Sequence, residues 1–175
     1  MLALIEAAKA PNYPAEIQLV ISNRPKAGGL KLAKDHGVKA LSIDHNAFAT
    51  RAAFEVELDR TLQENEIEFI VCAGFMRVLG AAFVCKWTGR LINIHPSLLP
   101  KYKGLNTHQR ALDAGDTHHG CTVHWVSEGV DEGDIIAQSD LIIKSNETPD
   151  DLSKRVQQLE HSLYPRALRQ ALGFD

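Results

Sequence analysis

The chain has 175 residues, 45% of them hydrophobic and 23% charged, a composition that suits one folded domain and excludes a disordered one. A net charge of −3, with Lys101 and Lys103 as the densest basic cluster, argues against nucleic acid or an anionic membrane surface as a partner. Apolar runs such as Phe69–Phe75 fall far short of the roughly 20 residues that span a bilayer, and no basic-then-apolar leader opens the sequence. Cys72, Cys85 and Cys121 are odd in number and form no C-x-x-C pair, so a reducing, cytoplasmic compartment is expected.

Leu2, Leu4, Ile5 and Ala8 read as a short amphipathic helix, and Ile17–Ser22 as a strand. A glycine-containing helix then runs to His36, followed by a strand around Val38–Ile43. Phe54, Leu58 and Leu62 recur at helical spacing behind Thr50, a plausible N-cap. Ile67–Ala73 is a near-continuous apolar run of strand length, the kind that a parallel sheet covers on both faces. A helix around Leu79–Trp87 leads to a strand at Arg90–Ile94. This alternation predicts an α/β fold with a doubly wound, mostly parallel sheet. Beyond Pro100 the pattern changes to two strands, Cys121–Val126 and Ile135–Ile143, which form a hairpin appended to the sheet. Thr148-Pro149-Asp150-Asp151 supplies an N-cap, a first-turn proline and acids for a long last helix, which Pro165 is expected to kink or end. A doubly wound domain normally opens on a buried strand and a glycine-rich turn, whereas this chain opens directly on a helix.

The strongest chemical signal is Leu91-Ile92-Asn93-Ile94-His95-Pro96-Ser97-Leu98-Leu99-Pro100. Alternation along a strand sends Asn93 and His95 to the same side, at the carboxyl end where open α/β sheets place ligands. An amide and an imidazole side by side suit the stabilisation of an oxyanion, although a strand-end Asn and His held by turn backbone would look the same. Ser127-Glu128-Gly129-Val130-Asp131-Glu132-Gly133-Asp134 lacks calcium-loop spacing and reads either as a solvated turn or as the source of a carboxylate, Asp131, that pairs with His95. The histidines have no metal-ligand spacing, so no metal is expected, and Lys26-Ala27-Gly28-Gly29 fits neither a P-loop nor a dinucleotide fingerprint. Gly74-Phe75-Met76-Arg77-Val78-Leu79 follows a strand and could wall a pocket for a flat heterocycle, or simply start a helix that buries Phe75 and Leu79. Gln157 and Glu160 share a helix face.

G-F-M-R-V-L at 74–79, I-N-I-H-P-S-L-L-P-K-Y-K-G at 92–104, H-G-C-T-V-H at 119–124 and Q-Q-L-E-H-S-L-Y-P at 157–165 stand in the order, and at about the intervals, of one family. With them the chain resembles, over essentially its whole length, phosphoribosylglycinamide formyltransferase, the folate-dependent enzyme of purine synthesis. The resemblance implies a formyltransferase-like variant of the Rossmann fold in one domain, 1–175, with 10-formyltetrahydrofolate as co-substrate and glycinamide ribonucleotide as acceptor. It implies a catalytic trio of Asn93, His95 and Asp131. It implies a folate site made of Arg51, Met76, Arg77, Val78, Leu79, Asn93, Ser127, Glu128, Gly129, Val130 and Asp131. Gln157 and Glu160 match positions that touch the ribonucleotide, Leu99-Pro100 matches a bond the family holds cis, and a monomer or weak homodimer is implied.

Two departures accompany the resemblance. Relative to the family, the chain lacks the first strand and its G-x-G-S-N-like phosphate loop, so it is expected to be truncated at the amino terminus, with two unpaired strand edges. Asn106 stands where the family commonly has a histidine. Two other readings stand beside the enzyme: a non-catalytic folate-binding paralogue, and a relative that hydrolyses formyl-folate or acts on initiator methionyl-tRNA. Those relatives usually carry an extra amino- or carboxyl-terminal domain, which is not expected within these 175 residues.

Overall fold

The computed structural model describes residues 1–174, with elements in the order α1 (Leu2–Ala8), β1 (Leu19–Ser22), α2 (Gly28–Asp35), β2 (Lys39–Ser42), α3 (Arg51–Glu64), β3 (Ile70–Cys72), α4 (Ala81–Lys86), β4 (Leu91–His95), α5 (Thr107–Asp113), β5 (His118–Trp125), β6 (Ile135–Ile142) and α6 (Pro149–Ala171). The α/β architecture is the one expected, with parallel pairs early in the chain, an antiparallel β5–β6 hairpin and a long terminal helix. β1 pairs in parallel with β2, and β3 with β4. β4 then pairs antiparallel with β5, setting Asn93 opposite His124 and His95 opposite Thr122.

Local chemistry accounts for the element boundaries. Thr50 caps α3 by accepting from the Ala53 N–H, and Thr148 caps α6 by accepting from the Asp151 N–H. α6 is the main packing helix. Leu152, Val156, Leu163, Tyr164 and Leu168 bury its apolar stripe against Ile92, Cys121 and Val123 of the sheet. A second core lies around Phe54, Leu58, Phe83, Trp87 and Leu91 beneath α3 and α4.

Two differences from expectation have physical reasons. Pro165 neither ends nor breaks α6, which runs on to Ala171. Proline removes one helical N–H and crowds the carbonyl four residues back, but the buried residues on both sides, Leu163, Tyr164, Ala167 and Leu168, hold the helix on the sheet, and the Pro165 carbonyl accepts from the Tyr13 hydroxyl at 2.8 Å. α5 was not expected. Its seven residues bury only Thr107 and Ala111, too short an apolar stripe to show a period. The sheet itself falls into two pieces, β1–β2 and β3–β4–β5–β6, with no hydrogen-bonded pairing of β1 with β3 among the described residues.

Candidate active site

β4 ends at His95, and the following turn is fixed from below. Thr122, fully buried on β5, donates its hydroxyl to the Ser97 carbonyl at 2.7 Å and accepts from the Leu99 N–H at 3.1 Å and Gln138 Nε2 at 2.8 Å. The Leu99–Pro100 bond in this turn is cis. Ser97, also fully buried, donates to the Lys101 carbonyl at 2.6 Å. These bonds hold the Tyr102 carbonyl 2.9 Å from His95 Nε2.

Asp131 reaches His95 from the loop between β5 and β6. Its Oδ2 lies 3.2 Å from His95 Nδ1 and accepts from the Gly104 N–H at 2.9 Å. The loop can close because Gly133 carries no side chain: a Cβ there would come within 1.7 Å of the Trp125 carbonyl oxygen. His95 thus faces a carboxylate at one nitrogen and a carbonyl at the other. Both are acceptors, so only the imidazolium, with two N–H groups, serves both at once.

A fourth group completes the cluster. His124 has Nδ1 2.8 Å from the Trp125 carbonyl, which makes Nδ1 the donor and leaves Nε2 facing Asn93 Nδ2 at 3.3 Å and Asp131 Oδ1 at 3.6 Å. Sequence reasoning gave His124 no role. The signal available was parity: it sits in H-G-C-T-V-H two residues beyond Thr122, on the same face of its strand. Burial pushes the Asp131 carboxyl up, but the bond from the Gly104 N–H and the two imidazoles that face it outweigh burial, leaving Asp131 below the ordinary carboxylate value.

The remaining candidates make no hydrogen bond or ion pair to this cluster among the described residues. Met76 and Val78 stand exposed in the loop between β3 and α4, while Phe75 and Leu79 pack on the α3–α4 core. Arg77 has a buried Nε with no partner. That loop is anchored by Glu55, 7% exposed, which accepts from the Gly80 N–H at 2.7 Å and pairs with Arg51 at 3.6 Å. Ser127, Glu128, Gly129 and Val130 precede Asp131, with Glu128 and Val130 exposed. Gln157 is exposed on α6; Glu160 is half-buried, its carboxyl pushed up by burial and drawn down by the Met1 amine. Asn106 is exposed at φ 58°, a left-handed conformation asparagine tolerates well. No group of His, Cys, Asp or Glu suited to a metal ion occurs among the described residues.

A family model described as formyl transferase matches residues 1–168. The chain belongs to the formyl transferase family. Within that family it is 41% identical over 163 residues to the phosphoribosylglycinamide formyltransferase of Escherichia coli (strain K12), covering 93% of this chain and 77% of that one. The crystal structure of phosphoribosylglycinamide formyltransferase from Brucella melitensis superposes with a TM-score of 0.92 at 45% identity, covering 96% of this chain and 86% of that one. The trifunctional purine biosynthetic protein adenosine-3 of Drosophila melanogaster is 48% identical over 168 residues, 95% of this chain but 12% of that much longer protein. This formyl transferase chain therefore spans a small part of some relatives and most of others.

Proposed function

We propose that the chain transfers a formyl group from 10-formyltetrahydrofolate to the amine of glycinamide ribonucleotide, a step of purine synthesis. The convergence of Asn93, His95 and Asp131 at the carboxyl end of β4 carries the reading, and its similarity to phosphoribosylglycinamide formyltransferases supports it. The substrate amine attacks the formyl carbon, forming a C–N bond and a tetrahedral oxyanion. Asn93 donates an amide N–H to that oxygen. His95, as the imidazolium, donates an N–H and gives up one of its resting bonds to do so. The bond from the formyl carbon to the folate nitrogen then breaks; the amine's proton passes toward that nitrogen with Asp131 as the nearby carrier. No metal or covalent enzyme intermediate is required.

In this reading Met76, Arg77, Val78 and Leu79, with Ser127 to Asp131, hold the folate ring. Arg51 meets its acidic tail, and Gln157 and Glu160 meet the ribonucleotide. The exposed Met76 and Val78 and the unpartnered Arg77 Nε suit a flat heterocycle with polar edges. The protein works in the cytoplasm on small molecules, as a monomer or weak homodimer, without nucleic acid or membrane.

The test is formyl transfer between the two purified substrates. Asn93→Ala and His95→Ala are each expected to lower kcat by about 100- to 1000-fold, the usual effect of losing one oxyanion donor. Wild-type protein that binds the folate yet transfers nothing would refute the enzyme reading.

A further inference from the structure

At rest both ring nitrogens of His95 are occupied, Nδ1 by Asp131 at 3.2 Å and Nε2 by the Tyr102 carbonyl at 2.9 Å. To donate to a developing oxyanion, the ring must release one of them. A bond to a carboxylate is roughly twice as strong as one to a neutral acceptor. Asp131 is also held in place by the Gly104 N–H. The carbonyl is therefore the partner given up, and Nε2 is the nitrogen that meets the formyl oxygen. The carbonyl left behind still has the Ser97 hydroxyl 3.4 Å away.

Backbone preference does not put that carbonyl where it stands. Tyr102 has φ 57°, a left-handed conformation that costs a residue with a side chain about 1–2 kcal/mol. Such a conformation persists only where the surroundings over-determine it, and here they do so through the side chain. The Tyr102 hydroxyl donates to Asp116 Oδ2 at 2.7 Å. The Arg110 guanidinium lies 5.2 Å from the ring centroid and the Lys101 ammonium 5.9 Å from it. Arg110 also donates to the Lys103 carbonyl at 2.6 Å, which fixes the chain on the far side of Tyr102.

Asp116 is the anchor of this arrangement. It stands just beyond α5, where its N–H donates to the Ala111 carbonyl at 3.1 Å, and each of its carboxylate oxygens accepts from Lys101 Nζ at 3.0 Å. The bonds from Tyr102 and then Lys101 hold its carboxyl below the ordinary value, so it is charged at neutral pH. Asp116 makes no hydrogen bond or ion pair to Asn93, His95 or Asp131 among the described residues. It reaches the site through the Tyr102 side chain.

We propose that Asp116 and the Tyr102 side chain are positioning residues for His95. Through the Tyr102 backbone they set where the carbonyl stands, and with it the direction in which His95 presents its Nε2–H. In the step itself the proton stays on nitrogen. The hydrogen bond to the Tyr102 carbonyl breaks, one to the oxyanion forms, and the first is restored when the oxyanion collapses. The chemistry of this inference rests on the formyl-transfer reading; its geometry rests on the resting hydrogen bonds alone.

The experiment compares the whole chain with Tyr102→Phe, which loses only the hydroxyl, Asp116→Ala, which loses the acceptor, and Asp116→Asn, which keeps an acceptor oxygen. NMR of histidine-labelled protein follows the His95 Nε2–H, and steady-state kinetics follow formyl transfer. In Tyr102→Phe and Asp116→Ala that proton should move upfield and exchange with water about tenfold faster. Their kcat should fall about tenfold, with the KM of each substrate little altered, as a small misplacement of a donor does. Asp116→Asn should recover most of both losses. If Asp116→Ala does not fold, Tyr102→Phe decides, since it leaves the Lys101–Asp116 pair in place. An unchanged Nε2–H signal in folded Tyr102→Phe would overturn the proposal. So would a changed signal with unchanged kcat, or a loss confined to KM. A wild type that transfers nothing would sink the formyl-transfer reading instead, and the NMR signals would still decide whether these residues position His95.

Discussion

At the residue scale, the site owes its order to which nitrogen of each imidazole is already committed. His124 Nδ1 is taken by the Trp125 carbonyl, so its bare Nε2 is what meets the Asn93 amide. An amide can rotate by half a turn and present oxygen where nitrogen is needed; an acceptor at Nε2 fixes the amide with its N–H₂ toward His124. In the proposed reaction His124 is thus a positioning residue for Asn93. Replacing it with phenylalanine removes the acceptor and keeps the bulk, and kcat is expected to fall by up to about 100-fold with the KM for the ribonucleotide little altered. His124→Gln, which can offer an acceptor oxygen, should recover part of that loss. Steady-state kinetics of the two variants decide it, and equal kcat in both would remove the orienting role. Glu55 acts similarly for the loop at 74–79, since its carboxylate is the buried acceptor for the Gly80 N–H.

At the scale of elements, the sequence showed most where one covalent feature dictated one geometry. Thr148-Pro149-Asp150-Asp151 announced the start of α6, and alternation placed Asn93 and His95 together on β4. Pro165 did not end α6 because a local rule about proline was overruled by tertiary packing on both sides of it. The trio became legible only partly. Asn93 and His95 are two residues apart, but Asp131 arrives from 36 positions beyond His95; no periodicity encodes that approach, and the acid-rich turn offered its carboxylate only as one of two readings, between which the family resemblance chose. His124 was hidden for the same reason, because its partner across the ladder is a matter of register. The glycine of H-G-C-T-V-H has a reason the sequence could not supply. At Gly120 a Cβ would lie 2.1 Å from the Ser139 carbonyl oxygen of β6, so β5 and β6 close only over a bare backbone. Gly120→Ala is expected to destabilise the protein by about 3 kcal/mol, as overpacking against backbone does. Exchange protection should be lost first along the β5–β6 hairpin. A urea midpoint unchanged from wild type would show that the strands can part without cost.

At the scale of the whole molecule, the buried imidazoles beneath the active site couple folding to pH. His119 is 1% exposed, with Nε2 3.1 Å from His108 Nδ1. Burial first, and then the neighbouring His108, press its pKa down to about 4, although Asp116 and the Pro96 carbonyl pull the other way and His95 adds to the fall. His108 is lowered as well, by burial and by His95. The sign follows from proton counting. Between the ordinary imidazole value near 6.5 and about 4, the unfolded chain binds a proton at His119 that the folded chain does not. Stability contributed by the neutral ring is therefore complete above about 6.5 and drains away as pH falls toward 4, to a total of about 3 kcal/mol. Glu160 works in the opposite direction, because its raised pKa lets the folded state take up a proton before the unfolded one. Asp131 sits below its ordinary value, so its contribution is lost only at still lower pH. Urea midpoints measured from pH 7 to pH 4 should decline steadily in the wild type. In His119→Gln, which keeps a donor and an acceptor but cannot titrate, the midpoint at pH 7 should be lower and the decline shallower. Parallel curves for the two proteins would place the acid sensitivity elsewhere than in the His108–His119 pair.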